Sequence, residues 1–333
     1  MREMNKTTYR LNIVAALLFG LSIGLLLGIP IPSHRGYITP LGNKMGVALV
    51  RQQDPTIITI AMDKMVSYAS SVSIPSNVDQ YATILNSYGA ALEIIKKKTT
   101  PGIMVMGISE DFPAKSYNVK VGDIVKLSEN EIKKISSNPQ NRQIYLEKIF
   151  QNTTLIHKDG TTQAIRLPKK YFKNLIIQDI SSIALPKKFT INENVLHAQG
   201  NSDGLSMTIY LVDSMTKGSL LPKIKIAATG AVVSGTHSLN EPHPVLAIGS
   251  LGIKYQAIKR EKYDIFFIPK ANEDEIKIKG STKVISVDNV ETAINKLCQL
   301  SKNQDEICKL ENIKHLKESK AIVTYYSPSS TGY

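Results

Sequence analysis

A continuous apolar segment near the start of the chain constrains its fold more than any other feature. Residues 11–31 read LNIVAALLFGLSIGLLLGIPI, close to the roughly 20 residues that a helix needs to cross the hydrocarbon core of a bilayer. Three cations precede this segment and one follows it closely: Arg2, Lys6, Arg10 and then Arg35. Because cationic residues favour the cytoplasmic side, we expect residues 1–32 to be a cytoplasmic stub and a membrane anchor.

The alternative to an uncleaved anchor is a secretory signal peptide that is removed. Such a peptide ends in a cleavage site of small residues, whereas this apolar segment runs into the sequence IPIP at residues 29–32. We therefore favour an uncleaved, single-pass anchor in the cell membrane, with the bulk of the chain extracytoplasmic.

The chain is strongly basic. Its 333 residues carry a formal net charge of +13, and lysines occur in runs at residues 96–98, 169–170 and 187–188. Excess positive charge can favour nucleic acid or anionic lipid. No nucleic-acid-binding motif accompanies these lysines, so we expect solvated basic faces and no nucleic-acid partner. A basic protein that binds nucleic acid at the membrane is the least supported alternative.

The cysteines and the missing motifs bear on compartment and cofactors. Cys298 and Cys308 lie on a predicted helix, a turn and a second helical stretch, and an extracytoplasmic location would allow a disulfide between them. Two free, partly buried thiols are the alternative. Since the sequence has neither an H-E-x-x-H motif nor a G-x-x-x-x-G-K-[ST] phosphate loop, we expect no metal, no cofactor and no ATP hydrolysis.

The first exported part and the tail have little motif content. We expect residues 33–100 to form an exported N-terminal segment with short strands at residues 47–50 and 56–60 and a helix over residues 78–98. Residues 301–333 are Lys-rich at first and end in Ser, Pro and Gly. This composition predicts a partly disordered C-terminal tail.

Residues 101–172 have the order of a small β-rich domain. Residues 102–108 (GIMVMGI) predict a strand, and Asp159 with Gly160 predicts a tight hairpin. The segment resembles PDZ modules of the bacterial protease-associated type, in which GxxVxxVxxxSPA leads into LKVGDxI. The matching positions are Gly102, Val105, Pro113, Ala114, Val121, Gly122 and Asp123. Such modules bind extended peptides at a sheet edge, and the peptide-binding residues expected from the resemblance are Gly102, Ile103, Met104 and Val105. The alternative is a spacer.

From residue 173 to residue 300, predicted strands alternate with predicted helices. A Gly-flanked turn, QGNSDG at residues 199–204, opens an apolar helical stretch. Further strand-like runs follow at residues 224–230, 245–248, 264–269 and 284–287. This alternation is typical of a mixed layer of strands and helices, and it predicts the fold class α/β (α+β).

The motifs in this segment resemble, in order, those of the proteolytic domain of Lon, and most closely those of membrane-anchored bacterial Lon-like peptidases that carry a PDZ module. QGNSDG stands where the family has GGPSAG. The other matches are IAATG (residues 226–230) with IAGTG, IGSLGIK (248–254) with IGGIxxK, and FFIPKAN (266–272) with FFxPxxN. The resemblance covers residues 10–300. It implies a transmembrane helix, a PDZ-like domain, a Lon-type proteolytic domain and assembly as a homo-oligomer.

The resemblance assigns Ser202 as the nucleophile and Lys254 as the general base, with Thr229 supporting the lysine. A serine on a turn that opens a helix lies where backbone N–H groups and the helix dipole favour an oxyanion. A desolvated lysine can lose its proton and accept that of the serine. The expected function is an ATP-independent, membrane-anchored serine endopeptidase that cleaves extracytoplasmic or membrane-proximal peptides and proteins.

Two neighbours of Ser202 depart from the family pattern. Asn201 replaces a proline, and Asp203 replaces a small alanine. The Asp203 carboxylate either only caps the helix or opposes the oxyanion and holds Lys254 protonated. The second outcome gives the alternative function, a catalytically inactive Lon-like scaffold that binds peptides in the cell envelope.

The segment between the two expected catalytic residues is several residues longer than is usual in Lon. We expect the extra residues at 234–244, a stretch that contains His237 and His243. Both histidines are expected to be exposed in a loop, and a histidine near the cleft is the alternative.

Overall fold

The computed structural model of the chain describes residues 35–40, 45–51, 76–185, 201–216, 220–222, 224–232, 242–276, 281–301 and 306–310. The predicted anchor at residues 11–31, the predicted strand at residues 56–60, His237 and the tail beyond residue 310 lie outside the described residues. Within those ranges, no helix is long and apolar enough to cross a membrane.

The protein has a mixed α/β fold. Its described strands are β1 (Arg35–Pro40), β2 (Met45–Arg51), β3 (Gly102–Ile108), β4 (Ile124–Lys126), β5 (Thr153–Ile156), β6 (Thr162–Ile165), β7 (Leu175–Ile180), β8 (Ile226–Ala228), β9 (Ala231–Val232), β10 (Val245–Leu246), β11 (Ile265–Pro269) and β12 (Lys283–Val287). Its described α-helices are α1 (Ser76–Ile94), α2 (Ala114–Tyr117), α3 (Glu129–Ser137), α4 (Arg142–Phe150), α5 (Lys169–Phe172), α6 (Gly204–Met215), α7 (Leu251–Arg260), α8 (Val290–Ser301) and α9 (Glu306–Lys309). Two 3-10 helices span Pro139–Asn141 and Lys270–Glu275.

A five-stranded mixed sheet has the order β1-β2-β8-β11-β12. β1 and β2 are antiparallel, with Arg35 opposite Arg51, whereas β2, β8, β11 and β12 run parallel to one another. Both faces of the parallel strands are buried: Ile226 and Phe267 enter one apolar core, and Ala227 and Phe266 enter the other. α1, α6 and α8 contribute to the first core and α7 to the second. Helices on both faces are what a parallel sheet requires.

Described elements of the expected segment 33–100 pair and pack with elements from later in the chain. β2 pairs with β8 in the sheet just described, and α1 packs against α6 through Ile84, Ala91 and Leu205. Local sequence patterns could not show this, because these partners lie far apart in the chain.

α1 also differs from the predicted helix in where it ends. Lys96 has a φ of 58°, and the N–H of Lys97 donates to the carbonyl oxygen of Leu92 at 2.8 Å. A left-handed residue with such a bond closes a helix. The helix therefore ends at Ile94, before the lysine run, and not at residue 98.

A second five-stranded sheet, entirely antiparallel, has the order β6-β5-β4-β3-β7. The predicted strand at residues 102–108 is β3, and the predicted hairpin joins β5 to β6, with Gly160 at φ 83°. Along β3, Ile103 and Val105 enter a core with Phe150 of α4, whereas Met104 and Met106 enter a core with Leu85 of α1. The core of this antiparallel sheet is therefore formed by α1 as well as by residues of the sheet's own domain.

α1 lies between the two five-stranded sheets and belongs to cores on both sides. Its Gly89 faces the segment that follows β7, and a Cβ there would lie only 2.1 Å from the Cβ of Ser181. Nearby, the amide N–H of Ser181 donates to the side-chain oxygen of Asn86 at 2.9 Å. Only glycine fits at this contact, which holds the second sheet close to α1.

Cys298 of α8 and Cys308 of α9 are joined in a disulfide, with their Cα atoms 5.7 Å apart. The bridge connects the last two described helices across the short gap between them. Of the two alternatives that the sequence leaves open, the structure has the disulfide.

Candidate active site

The three residues expected at the catalytic site come together at one end of the parallel strands. Ser202 lies on the turn before α6, Thr229 directly follows β8, and Lys254 lies in the first turn of α7. α6 and α7 pack on opposite faces of the sheet, so their N-terminal ends come close to each other only at the carboxyl ends of its parallel strands. The carboxyl ends of parallel strands are where ligands of α/β folds commonly bind.

Hydrogen bonds from the Thr229 hydroxyl and the Gly230 amide hold the turn at Ser202. The carbonyl oxygen of Ser202 accepts from the N–H of Gly230 at 2.7 Å and from Thr229 Oγ1 at 2.9 Å. The N–H of Leu205 donates in turn to the carbonyl of Gly230 at 2.9 Å. Gly230 has a φ of 151°, and a Cβ there would lie 2.5 Å from Val245. Glycine is therefore required at 230, and it fixes the position of Ser202.

Thr229 links Ser202 to Lys254. Its Oγ1 donates to the carbonyl oxygen of Ser202 and accepts from Lys254 Nζ at 3.1 Å. Thr229 is fully buried and Ser202 is half-buried. Among the described residues, the Ser202 hydroxyl has no hydrogen-bond partner.

Among the described residues, no carboxylate forms a hydrogen bond or ion pair with the buried Lys254. It is 3% exposed, and Thr229 Oγ1 is the hydrogen-bond partner of its Nζ among the described residues. Burial lowers the pKa of Lys254 from 10.5 to about 8, although the charge of Asp203 acts in the opposite direction. About a tenth of the molecules then carry the free amine at pH 7, against fewer than about one in a thousand for an ordinary lysine.

Asp203 does not cap α6 with its side chain. It occupies the N-cap position with φ −96° and ψ −2°, but its carboxyl makes no capping hydrogen bond. The side chain is instead fully buried and accepts a hydrogen bond from Nε2 of Gln80 on α1. Burial raises the pKa of Asp203 from 3.8 to about 6, against the opposing effects of the Gln80 bond, its own backbone N–H and the Lys254 charge.

The strand that the sequence analysis expects to bind peptides does not lie at the edge of its sheet. Gly102, Ile103, Met104 and Val105 are buried in the middle of the second sheet. Their strand β3 is paired with β4 on one side and with β7 on the other. Both edges of these residues are occupied, so they cannot accept an added strand. β7 pairs with β3 alone among the described strands and is an edge strand of this sheet.

The edge strand β7 has apolar and charged neighbours that the sequence did not single out. Ile176 of β7 and Ile144 of α4 are exposed at 37% and 48%. Arg142, at the start of α4, forms a 2.6 Å ion pair with Asp179 of β7, which places the beginning of this helix beside the strand. An edge strand beside a helix is a suitable place for strand addition.

His243 is buried, which corrects the expectation that it is exposed. Its Nδ1 lies 2.6 Å from Oε1 of Glu291 in α8, and its Nε2 lies 2.7 Å from Oε2 of Glu93 in α1. Burial lowers the pKa of His243, but the bonds to Glu291 and Glu93 outweigh this effect and raise it to about 9. The histidine is therefore a buried cation that joins two helices.

Asn272, the last residue of the FFIPKAN motif, holds the segment before α7. Its Oδ1 accepts from the N–H of Ile248 at 2.9 Å, and its Nδ2 donates to the carbonyl of Ile248 at 3.0 Å. The side chain thus pairs with the backbone as a neighbouring strand would. Asn272 therefore helps to position α7, the helix that carries Lys254.

No model of a known protein family and no curated protein matches this sequence. The assignment of a function therefore depends on the geometry and on the motifs of the chain itself.

Proposed function

We propose that this chain is a membrane-anchored, ATP-independent serine endopeptidase that uses Ser202 as its nucleophile and Lys254 as its general base. The proposal includes the relationship to Lon-like peptidases with a PDZ module. The observation that carries it is the environment of Lys254, a buried lysine whose described hydrogen-bond partner is the neutral hydroxyl of Thr229. A lysine required only for an ion pair would have a carboxylate at that place.

The reaction follows from these groups. The free amine of Lys254 takes the proton of Ser202 Oγ while this oxygen bonds to the carbonyl carbon of the scissile peptide. The ammonium then gives the proton to the leaving nitrogen, and an acyl-enzyme remains until water hydrolyses it. Thr229 Oγ1 positions Nζ next to the turn. Because such contacts often tighten only when substrate binds, the open hydroxyl of Ser202 is compatible with this role.

Backbone amides supply the expected oxyanion site. The N–H of Leu205 is bound to the carbonyl of Gly230. Among the described residues, the amide of Ser202 donates to no residue, and the amide of Asp203 interacts with its own carboxyl alone. Both precede the N-terminus of the twelve-residue helix α6, where unpaired amides and the helix dipole stabilise negative charge.

Peptides are proposed to reach this site by strand addition along β7, and not along β3 as the sequence suggests. Residues 175–178 carry the open edge, because the carbonyl of Asp179 accepts a bond from Asn86 of α1. The expected partner is still an extended peptide or protein substrate. Only the strand along which it binds differs, β7 in place of β3.

An inactive, peptide-binding scaffold is the second candidate function. The observation that favours it is the full burial of Asp203 directly after Ser202. If ionised, this carboxyl would oppose the oxyanion and raise the pKa of Lys254. The two functions make opposite predictions for the reactivity of Ser202.

Covalent labelling with a serine-reactive fluorophosphonate distinguishes the two functions. The full-length chain in detergent should be labelled, whereas Ser202→Ala and Lys254→Met should not. Labelling should become faster as pH rises, with a midpoint at about 8 or below, since only the free amine activates the serine. Ser214→Ala, which removes an exposed serine from the same helix, is the matched control and should be labelled like the parent.

A parent chain that resists labelling while Asp203→Asn is labelled would contradict the peptidase and support the scaffold. Labelling that persists in Ser202→Ala would show that another residue reacts, which would also contradict the assignment.

A further inference from the structure

Within the described part of the chain, two buried polar atoms beside the site lack a hydrogen-bond partner, and both belong to the same pair of side chains. Gln80 and Asp203 are fully buried, and Gln80 Nε2 donates to Asp203 Oδ2. The remaining two atoms, Gln80 Oε1 and Asp203 Oδ1, are the only buried side-chain nitrogen or oxygen atoms without a partner in the part of the chain that the structure describes.

These two oxygens can bind each other only if the carboxyl is protonated. An ionised carboxylate and an amide oxygen are both acceptors, so neither can satisfy the other. A proton on Oδ1 makes it a donor to Gln80 Oε1. The carboxyl and the carboxamide then form a ring with two hydrogen bonds, and no buried atom of the pair is left over. Since an unsatisfied buried polar atom costs free energy, this arrangement favours the protonated carboxyl.

We infer that Asp203 is a neutral carboxylic acid near neutral pH, held in a cyclic two-bond pair with Gln80, and that Gln80 is a positioning residue for the site. The neutral pair keeps a negative charge away from both Ser202 and Lys254. It would explain how an aspartate can directly follow the proposed nucleophile.

Proton balance connects this pair to Lys254. A single proton shared between the two groups gives either an ionised Asp203 with a Lys254 ammonium, or a neutral Asp203 with a free Lys254 amine. Burial works against both charges, raising the pKa of Asp203 to about 6 and lowering that of Lys254 to about 8. The remaining difference of about two pKa units favours the charged state about 100-fold, and the second bond to Gln80 is what must outweigh this factor. The bond from Oδ1 to Gln80 Oε1 exists only in the second state. The second state is also the one in which the lysine can act as a base.

The charged groups that face Asp203 come from two helices. Lys254 of α7 lowers the pKa of its carboxyl, and Asp79, the neighbour of Gln80 on α1, raises it. The Asp79 carboxylate thus works with Gln80 to keep the proton on Asp203. The consequence for catalysis rests on the proposed function, whereas the protonation state of Asp203 does not.

Infrared spectroscopy of the full-length chain tests the inference without any substrate. At pH 7 the parent should show a protonated-carboxyl C=O band that is missing from Asp203→Asn. In Gln80→Leu this band should move to the position of a carboxyl without a hydrogen-bond acceptor. The matched control, Asp111→Asn, removes an exposed aspartate far from the pair in sequence and should leave the band unchanged.

The same band can be followed in the parent chain alone if a variant does not fold. Its shift on transfer from H₂O to D₂O identifies a carboxyl proton, and ¹³C labelling of aspartate assigns it to this residue type. Absence of a protonated aspartate at pH 7 would overturn the inference, and so would a band that Gln80→Leu leaves unmoved.

Labelling with the fluorophosphonate supplies an independent pH readout. A neutral Asp203 is mimicked by asparagine, so Asp203→Asn should keep the midpoint of the labelling profile. An ionised Asp203 would raise the pKa of Lys254, so its replacement would then move the midpoint to lower pH, and that result would also overturn the inference. A protonated aspartate in a chain that never labels would refute the proposed function and leave the inference intact.

Discussion

At the scale of single residues, the site is built from groups that are costly to bury. Lys254 is 3% exposed and its pKa falls from 10.5 to about 8. This lowered pKa means that the ammonium is less stable in the folded chain than in the unfolded one. The protein therefore gives up stability at neutral pH to keep a lysine that can lose its proton.

Replacing Lys254 with methionine should stabilise the protein at neutral pH. Because the folded pKa is depressed, the contribution of the lysine is fully present above pH 10.5 and is lost as pH falls through about 8. We expect Lys254→Met to gain about 3 kcal/mol over the parent at pH 7, and almost nothing near pH 10.5. Thermal unfolding of the full-length chain between pH 7 and pH 10.5 measures this difference.

Lys283→Met, which removes an exposed lysine of β12, is the control and should show no such trend. A difference between Lys254→Met and the parent that stays constant with pH would mean that Lys254 does not titrate near pH 8.

The proposed catalytic residues can be singled out from the sequence, but the residue that binds Asp203 cannot. Ser202, Thr229 and Lys254 each lie in a short motif whose order along the chain can be compared with a family. Gln80 lies 123 positions before Asp203 on a helix with no motif of its own. A single buried glutamine carries no signal in a sequence, because its partner is decided by how α1 packs on α6.

At the scale of elements, His243 connects the segment before β10 with two helices, α1 and α8. It lies just before β10 and binds Glu93 of α1 and Glu291 of α8 through its two ring nitrogens. Its backbone N–H also donates to Glu291 Oε2 at 3.0 Å. Both ring nitrogens can donate only if the imidazole is protonated, so the contact exists in full only as a buried cation between two carboxylates.

The His243 contact should make stability depend on pH at the alkaline side. Its pKa is raised from 6.5 to about 9, so its contribution is complete below pH 6.5 and is lost as pH rises through 9. We expect His243→Gln to be about 3 kcal/mol less stable than the parent at pH 6.5, because the buried Glu291 and the half-buried Glu93 lose their partner. The gap should narrow between pH 8 and pH 10.

Urea unfolding of the parent and of His243→Gln at several pH values gives the measurement. The values at pH 10 serve as the internal reference, because the parent histidine is neutral there. A gap of equal size at pH 6.5 and pH 10 would show that the lost contribution is packing and not charge.

Most strands and helices could be predicted from local sequence patterns. The elements with which each one pairs or packs could not. The alternation along residues 102–108 identifies β3 as a strand, and the Asp159–Gly160 pair identifies the hairpin. Neither pattern shows that β7 pairs with β3 along its whole length, because β7 follows β3 only after three other strands. Because β3 is paired on both sides, the proposed peptide edge lies on β7 and not on the strand that the sequence indicated.

At the scale of the whole molecule, α1 connects the proposed peptide edge to the proposed active site. At one place its Asn86 binds the carbonyl of Asp179 in β7 and the backbone of Ser181. At others, Gln80 binds Asp203 and Ser87 Oγ donates to the carbonyl of Gly204 at 3.3 Å. A single helix thus contacts both sites, so a peptide bound along β7 lies against the same helix that positions the Ser202 turn.

The proposed binding of peptides along β7 can be tested by changing an exposed residue of this strand. Ile176→Asp places a charge on the exposed part of β7 and should raise KM for an extended peptide substrate about tenfold, the lower end of the effect of losing one apolar contact. Ile224→Asp is the matched control, because Ile224 is also 37% exposed but lies beside β8 in the other sheet. Steady-state cleavage of a fluorogenic peptide by the full-length chain gives kcat and KM for both variants. Equal KM values for the two variants would rule out β7 as the strand that receives the substrate, since only one of them alters that edge.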